Sequence, residues 1–134
     1  MTILADSSAW VELTRATGSE VDRALVQLLD EGSDVAVTEP VVMEVLAGVR
    51  SRSDLIRTRR LLLGLHMLRV GGLESYERAA AIRRLCRARG ETVRSGMDCL
   101  IASVAIREDV SVLHADRDFD VIARHTDLRI EPIA

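Results

Sequence analysis

The chain has 134 residues, with 48% hydrophobic and 29% charged residues and a formal net charge of −3. These are the proportions of a globular protein, and the length predicts one domain over residues 1–134. All 18 basic residues are arginines, which excludes a phosphate-binding P-loop and Schiff-base chemistry, because both need a lysine. With no apolar run of membrane-spanning length and no signal-peptide pattern, we expect a cytoplasmic protein.

Short apolar runs alternate with amphipathic segments along the whole chain. The pattern predicts five strands, over residues 2–5, 35–37, 66–70, 110–113 and 128–130. Between them it predicts seven helices, over residues 8–13, 19–31, 39–48, 53–63, 73–89, 97–107 and 116–124. Thr38 stands at a helix cap with Pro40 in the first turn, and Gly90 ends the longest helix. Cys86 and Cys99 are too few for a disulfide framework, so we expect two buried thiols.

Buried strands separated by helices indicate a mostly parallel sheet of about five strands covered on both faces. The predicted fold class is therefore α/β, a three-layer α/β/α sandwich. In such sheets ligands lie beyond the carboxyl ends of the strands, where neighbouring crossovers leave in opposite directions. We expect a functional site at that edge.

Charge is distributed unevenly along the chain. Residues 50–94 contain 12 arginines and 4 acids, whereas the segments on either side are acidic. A basic stretch in an otherwise acidic domain is typical of polyanion contact, although arginines on helices often form only a solvated face.

Four acidic residues occupy positions that should converge. Asp6 and Asp116 follow the first and fourth predicted strands. About one helical turn from Glu44 lie Val41, Ala47 and Gly48, and about one turn from Asp98 lie Ile101, Ala102 and Ala105. Because these neighbours are small or apolar, both acids are predicted to lie on inward helix faces.

Such convergence requires a compensating cation. Two carboxylates about 4 Å apart repel by roughly 4 kcal/mol at an effective dielectric of 20, a large fraction of a typical folding free energy. Because no lysine is available and the candidate ligands are all oxygens, Mg²⁺ or Mn²⁺ fits best.

Each acid alone also has a purely structural interpretation. Asp6 can cap a helix, Asp98 can complement a helix dipole, and Glu44 can lie at an exposed helix edge. The segment from Asp116 through Asp118 can simply begin a helix. Independent caps, however, have no reason to occupy two strand ends and two inward helix faces together.

Four segments carry a family resemblance: Asp6-Ser7-Ser8 after the first strand, residues 38–48 with Glu44, residues 98–102 with Asp98, and residues 114–119 with Asp116. In this order they resemble the PIN-domain ribonucleases and, within them, the VapC toxins of bacterial toxin–antitoxin pairs. The resemblance covers the full length. One departure is His114, where the family more often has a small hydroxyl residue, and the sequence leaves open whether His114 contacts substrate or only packs.

The resemblance implies a metal-dependent endoribonuclease that cuts structured RNA such as tRNA or rRNA, is inhibited by a cognate antitoxin and works as a homodimer. Asp6, Glu44, Asp98 and Asp116 match the family's catalytic, metal-binding acids, and Asp118 matches an auxiliary metal ligand. We expect water to attack the phosphodiester in line, leaving a 5′-phosphate and a 3′-hydroxyl.

Arginines are the candidates for recognition of a partner. Arg83, Arg84 and Arg87 share one face of the longest predicted helix with Tyr76, opposite a predicted inward face of Ala79, Ile82, Leu85 and Cys86. With Arg94 they are expected to bind RNA phosphates or an acidic antitoxin, and a merely solvated face remains the alternative. Aromatic residues are too few for recognition by base stacking, since Trp10 and Phe119 belong to predicted core faces.

Two other functions compete with the nuclease prediction. The aspartates at the strand ends also suit a phosphatase or a response-regulator phosphoacceptor, but both resemblances require a lysine that this chain lacks. The second competitor is a catalytically inactive PIN-like module that binds RNA or protein, which the presence of all four acids disfavours.

Overall fold

The computed structural model describes residues 1–133; Ala134, the last residue of the predicted domain, lies outside the described residues. Strands β1 to β5 cover Thr2–Ala5, Asp34–Val37, His66–Met67, Ser111–Leu113 and Arg129–Ile130. Helices α1 to α7 cover Ser7–Thr14, Glu20–Asp30, Glu39–Ala47, Arg52–Leu63, Leu73–Ala88, Gly96–Glu108 and Arg117–His125.

The five strands form one sheet in the order β3-β2-β1-β4-β5, and every neighbouring pair is parallel. In the centre, Leu4 is in register with Ala36 on one side and with Val112 on the other. All three side chains are fully buried, as expected of a sheet covered on both faces. The predicted three-layer α/β/α fold with a parallel sheet is confirmed.

The strand order creates a switch point between β1 and β4. The chain first moves outward from β1 through β2 to β3, and then returns across the sheet to β4 and β5. Because parallel crossovers are right-handed, this reversal puts the first four helices on one face and the last three on the other, in agreement with their packing contacts. The residues that follow β1 and β4 therefore lie side by side at the carboxyl edge.

Hydroxyl side chains begin two of the helices on the first face. Ser19 Oγ accepts the N–H of Asp22 at 3.1 Å, and Ser51 Oγ accepts the N–H of Asp54 at 3.1 Å. These contacts satisfy amide groups of the first turn that have no partner within the helix. At Thr38 the side chain makes no such bond, and Pro40 instead removes one of the free N–H groups.

The predicted third strand over residues 66–70 is too long. Only His66 and Met67 pair with β2 as a strand. After Leu68 the chain turns toward α3, where the N–H of Val70 donates to Glu39 Oε1 at 2.8 Å. Leu68 still donates its N–H to the Val37 oxygen at 2.8 Å, but neither Leu68 nor Val70 belongs to the strand although both are buried, so an apolar residue here does not by itself indicate a strand.

The predicted inward face of α5 is wrong at Leu85. The buried residues of this helix are Ser75, Ala79, Ile82 and Cys86, and Leu85 is 36% exposed at the edge of their stripe. Cys86 and Cys99 are buried free thiols, as predicted. Trp10 and Phe119 are buried in the core, also as predicted. No helix within residues 1–133 combines the length and apolarity needed to cross a membrane.

Candidate active site

Asp6 is the residue that follows β1, and it is 1% exposed. Its Oδ2 atom caps α1 by accepting the N–H of Ser8 at 3.0 Å, and it also accepts the Ser8 hydroxyl at 2.6 Å. The other oxygen, Oδ1, is buried and has no hydrogen-bond partner within residues 1–133. Asp6 is thus both a helix cap, as its structural interpretation predicts, and a carboxylate with one oxygen free for a ligand.

Asp98 lies in the first turn of α6 and is 5% exposed. Its Oδ2 atom is also buried without a hydrogen-bond partner in the described part of the chain. Burial, together with the negative charges of Asp6 and Asp116, raises the pKa of Asp98 to about 8. Without a cation this shift favours the protonated form of the side chain at neutral pH. Its predicted inward face is confirmed, because Ile101, Ala102 and Ala105 are buried beside it.

Asp116 follows β4 and caps α7, where its Oδ1 atom accepts the N–H of Asp118 at 3.0 Å. Carboxylate oxygens of Asp98, Asp116 and Asp118 all lie within 4.8 Å of one another. We call these three residues the aspartate cluster. It contains side chains from two helix starts that are adjacent only because α6 and α7 pack together.

Glu44 projects from α3 at the edge of this region and is half-buried. Its Oε1 atom accepts the hydroxyl of Ser7 at 3.0 Å. Burial raises the pKa of Glu44, and the nearby charges of Asp6 and Asp116 raise it further. The predicted packing around Glu44 is only partly correct: Val41 is buried, whereas Ala47 and Gly48 are exposed, because this end of α3 faces solvent.

One open cleft at the carboxyl edge of the sheet is lined by Asp6, Glu44, Asp98 and Asp116. The four acids predicted to converge thus line a common cleft, although they come from positions up to 110 residues apart. Asp118 lies behind the cleft opening, where its Oδ2 atom accepts the backbone N–H of Arg94 at 3.1 Å.

The residues of the cleft fit a divalent cation. A buried carboxylate oxygen without a hydrogen-bond donor is unfavourable in a metal-free protein, and here Asp6 and Asp98 each supply one. The side-chain ligand atoms that line the cleft are oxygens of carboxylates and serine hydroxyls, and oxygens are the ligands of hard ions such as Mg²⁺ and Mn²⁺ rather than of softer metals.

Two serines of the Asp6-Ser7-Ser8 motif have roles that the sequence does not reveal. Ser7 holds Glu44, while the Ser8 hydroxyl contacts Asp6 and accepts the N–H of Ala115 at 2.9 Å. The only signal in the sequence is that two hydroxyl residues directly follow an aspartate at a strand end. Which groups they contact depends on elements that are distant in the chain.

The predicted recognition arginines fall into two groups. Arg84 and Arg87 are exposed on α5 and form no ion pair within residues 1–133. Arg83 donates to the backbone oxygen of Arg94 at 3.5 Å, and the Arg94 guanidinium lies 3.9 Å from Asp118. Arg83 and Arg94 are therefore connected to the aspartate cluster, whereas Arg84 and Arg87 are free to contact a partner.

A family model matches most of the chain. The PIN-domain family model matches residues 3–125, which include the four predicted acids Asp6, Glu44, Asp98 and Asp116. The chain belongs to the PIN-domain family.

Two curated relatives indicate which group of PIN-domain proteins the chain resembles. Ribonuclease VapC11 of Mycobacterium tuberculosis is 46% identical over 128 residues, which are 95% of this chain and 96% of the relative. Ribonuclease VapC51 of the same organism is 32% identical and covers 92% of this chain and 86% of the relative. The resemblance to VapC ribonucleases is confirmed, and the chain is one of them.

Solved structures show the same fold at low sequence identity. VapBC2 from Rickettsia felis, solved bound to a DNA fragment from its promoter, has a TM-score of 0.76 at 17% identity and matches all of both chains. Mycobacterium tuberculosis VapC20, described as a toxin that cleaves the sarcin-ricin loop, has a TM-score of 0.68 at 19% identity and covers 95% of this chain and 98% of its own.

Proposed function

We propose that this VapC ribonuclease is a metal-dependent endoribonuclease toxin that hydrolyses phosphodiester bonds in structured cellular RNA, tRNA or rRNA. The observation that carries the proposal is the pair of buried, unpartnered oxygens on Asp6 and Asp98 in a cleft lined by three further acids, Glu12, Glu44 and Asp116. Asp6, Glu44, Asp98 and Asp116 would hold Mg²⁺ or Mn²⁺, with Asp118 as an auxiliary ligand.

The chain's own residues orient the carboxylates. Ser8 fixes Asp6 and Ser7 fixes Glu44, so both acids are set before a ligand arrives. A bound divalent ion would supply Lewis-acid chemistry, activating water and stabilising charge on the phosphate. No histidine lines the cleft among residues 1–133, so these residues offer no histidine pair for a mechanism through the 2′-hydroxyl. The oxygen of water bonds to phosphorus as the water loses a proton to solvent, and the phosphorus bond to the 3′-oxygen breaks as that oxygen takes up a proton from solvent, which gives a 5′-phosphate and a 3′-hydroxyl.

The free arginines support a polyanionic partner. Arg84 and Arg87 present guanidinium groups that match phosphate oxygens or carboxylates, so RNA and an acidic segment of an antitoxin remain the two candidates. Arg83 and Arg94 would extend this surface toward the aspartate cluster.

A cognate VapB-type antitoxin is the proposed inhibitor. Several chains with this fold were solved as toxin–antitoxin complexes, among them VapBC-1 from Haemophilus influenzae and VapBC-5 from Mycobacterium tuberculosis. We propose the same arrangement here, with the toxin as a homodimer. Size-exclusion chromatography with light scattering measures the subunit number.

The central experiment incubates the purified protein with total cellular RNA in Mn²⁺ or in EDTA, beside Asp6→Asn and a charge-matched control, Asp127→Asn. Asp127 is exposed and follows α7, away from the cleft lining. We expect discrete fragments with 5′-phosphate ends from the wild type and the control, and none in EDTA or from Asp6→Asn. Ends bearing a 2′,3′-cyclic phosphate would contradict the mechanism. RNA binding without any cleavage would favour the inactive-module alternative.

A further inference from the structure

His114 lies between the end of β4 and the start of α7, directly beside the aspartate cluster. Its side chain is only 7% exposed and packs on Phe119, with ring centroids 5.2 Å apart. A histidine that merely filled this space could have either tautomer and either ring orientation. Here both ring nitrogens have partners that fix them.

The two nitrogens have opposite hydrogen-bonding roles. The backbone N–H of Asp116 donates to Nδ1 of His114 at 3.0 Å, so Nδ1 must present a lone pair. The ring proton therefore resides on Nε2, which lies 3.2 Å from Asp120 Oδ1 and donates to it. Asp120 thus fixes the tautomer that makes Nδ1 an acceptor.

This contact completes the anchoring of a short loop. The N–H of Ala115 donates to Ser8, the N–H of Asp116 donates to His114, and the N–H of Asp118 donates to Asp116 Oδ1. Asp116 itself is extended, with φ −128° and ψ 119°, and only after it does α7 begin. The direction of the Asp116 carboxylate depends on these bonds, since the loop pairs with no strand among residues 1–133 at this point.

We propose that His114 is a positioning residue, whose Nδ1 atom holds the Asp116 backbone so that the Asp116 carboxylate stays within reach of Asp98 for a shared divalent cation. This inference rests on the proposed function of the cleft as a metal site. It assigns to His114 no contact with RNA.

Two variants separate the acceptor from the ring. His114→Asn keeps an acceptor near the position of Nδ1 and loses the ring, whereas His114→Phe keeps a ring against Phe119 and loses the acceptor. Mn²⁺ affinity is measured by calorimetry and by the electron paramagnetic resonance of free Mn²⁺. We expect His114→Phe to bind Mn²⁺ about 10-fold to 100-fold more weakly, and His114→Asn to stay within about threefold of wild type.

Kinetics provides an independent readout. At saturating Mn²⁺ the KM for RNA should be unchanged in both variants, while the Mn²⁺ concentration for half-maximal activity rises only in His114→Phe. A higher KM with unchanged Mn²⁺ affinity would show that His114 contacts substrate and would overturn the proposal. Equal losses of Mn²⁺ affinity in both variants would also overturn the proposal, because they would show that the acceptor atom alone does not preserve the metal site.

Circular dichroism and thermal unfolding in EDTA check that each variant folds. If His114→Phe is unfolded, His114→Ala replaces it, and the proposal then requires weaker Mn²⁺ binding by His114→Ala than by His114→Asn. If the wild type itself binds no Mn²⁺, the proposed metal site is wrong. If the wild type binds and all folded variants bind equally well, only the role of His114 is wrong.

Discussion

The Ser8 hydroxyl joins the ends of β1 and β4, because it donates to Asp6 at 2.6 Å and accepts the N–H of Ala115, 107 positions from Ser8, at 2.9 Å. One small side chain thereby fixes the spacing between the end of β1 and the loop that carries Asp116. The site is consequently ordered by hydrogen bonds of the chain itself, in addition to any order that a cation would supply.

Replacement of Ser8 should damage the metal site more than it damages the fold. Ser8→Ala removes both bonds, and each is worth about 1 kcal/mol of unfolding free energy at a partly exposed site. We expect a stability loss of about 1–2 kcal/mol by urea unfolding, and Mn²⁺ affinity about tenfold weaker by calorimetry.

Ser51→Ala is the matched control for Ser8→Ala. Ser51 caps α4 and lies outside the lining of the cleft, so its loss should cost about 1 kcal/mol and leave Mn²⁺ binding unchanged. If both variants weaken Mn²⁺ binding equally, the effect is one of general stability and the role given to Ser8 is wrong.

Stability without metal should fall as pH rises. The pKa of Asp98 is about 8 in the folded protein, whereas the ordinary value for an aspartate, taken for the unfolded chain, is 3.8. Between these two pH values the folded state holds a proton that the unfolded state has lost. Its contribution is fully present below about pH 4 and is lost as pH rises through 8, with a slope of at most about 1.4 kcal/mol per pH unit. Urea unfolding in EDTA at pH 6 and pH 8.5 measures this loss.

Asp98→Asn removes the titrating group and should flatten that dependence. At pH 8.5 in EDTA we expect this variant to be at least as stable as the wild type, although it no longer binds Mn²⁺ or cleaves RNA. Asp127→Asn removes an exposed negative charge and should leave the slope unchanged. A parallel loss of stability in the wild type and in Asp98→Asn would contradict the shifted pKa.

Metal binding should release a proton near neutral pH. Burial raises the pKa values of Asp6, Glu44 and Asp98, and a cation can be bound by Asp98 only after that carboxyl has ionised. Mn²⁺ affinity should therefore rise by up to about tenfold per pH unit below pH 8 and level off above it. Calorimetry at pH 7 in two buffers of different ionisation enthalpy counts the protons released, and a count near zero would contradict the prediction.

Arg84→Ala and Arg87→Ala test the exposed face of α5. RNA binding is measured in the Asp6→Asn background, so that the ligand stays intact. If these arginines contact phosphates, each substitution weakens binding at low salt and reduces the slope of log affinity against log salt by about 1.

Arg129→Ala is the control for these two substitutions. Arg129 begins β5 and pairs with Asp109 at the amino end of the strands, opposite the carboxyl edge that holds the cleft, so RNA binding should not change. Unchanged RNA binding by Arg84→Ala and Arg87→Ala, with weaker binding of the antitoxin, would assign the face to the antitoxin.

The sequence by itself determined the order of the strands and helices, the inward face of Asp98 and the placement of Asp6 and Asp116 at strand ends. Hydrophobic periodicity carries this information because it records which side of an element avoids water. The same signal led to two errors: it extended β3 to residue 70, and it placed Leu85 on the inward face of α5. An apolar residue can also be buried outside a strand, or can lie at the edge of the buried face of a helix.

Only the tertiary structure decided which groups contact one another. Ser7 reaches Glu44, Asp118 accepts the N–H of Arg94, and His114 accepts the N–H of Asp116. Two of these three bonds join elements that are distant in sequence, and the third lies in a loop whose Ala115 N–H is bonded to Ser8. Periodicity specifies a buried face but not the atom that it will meet, because that partner is fixed by how α1, α3, α6 and α7 converge at one edge of the sheet.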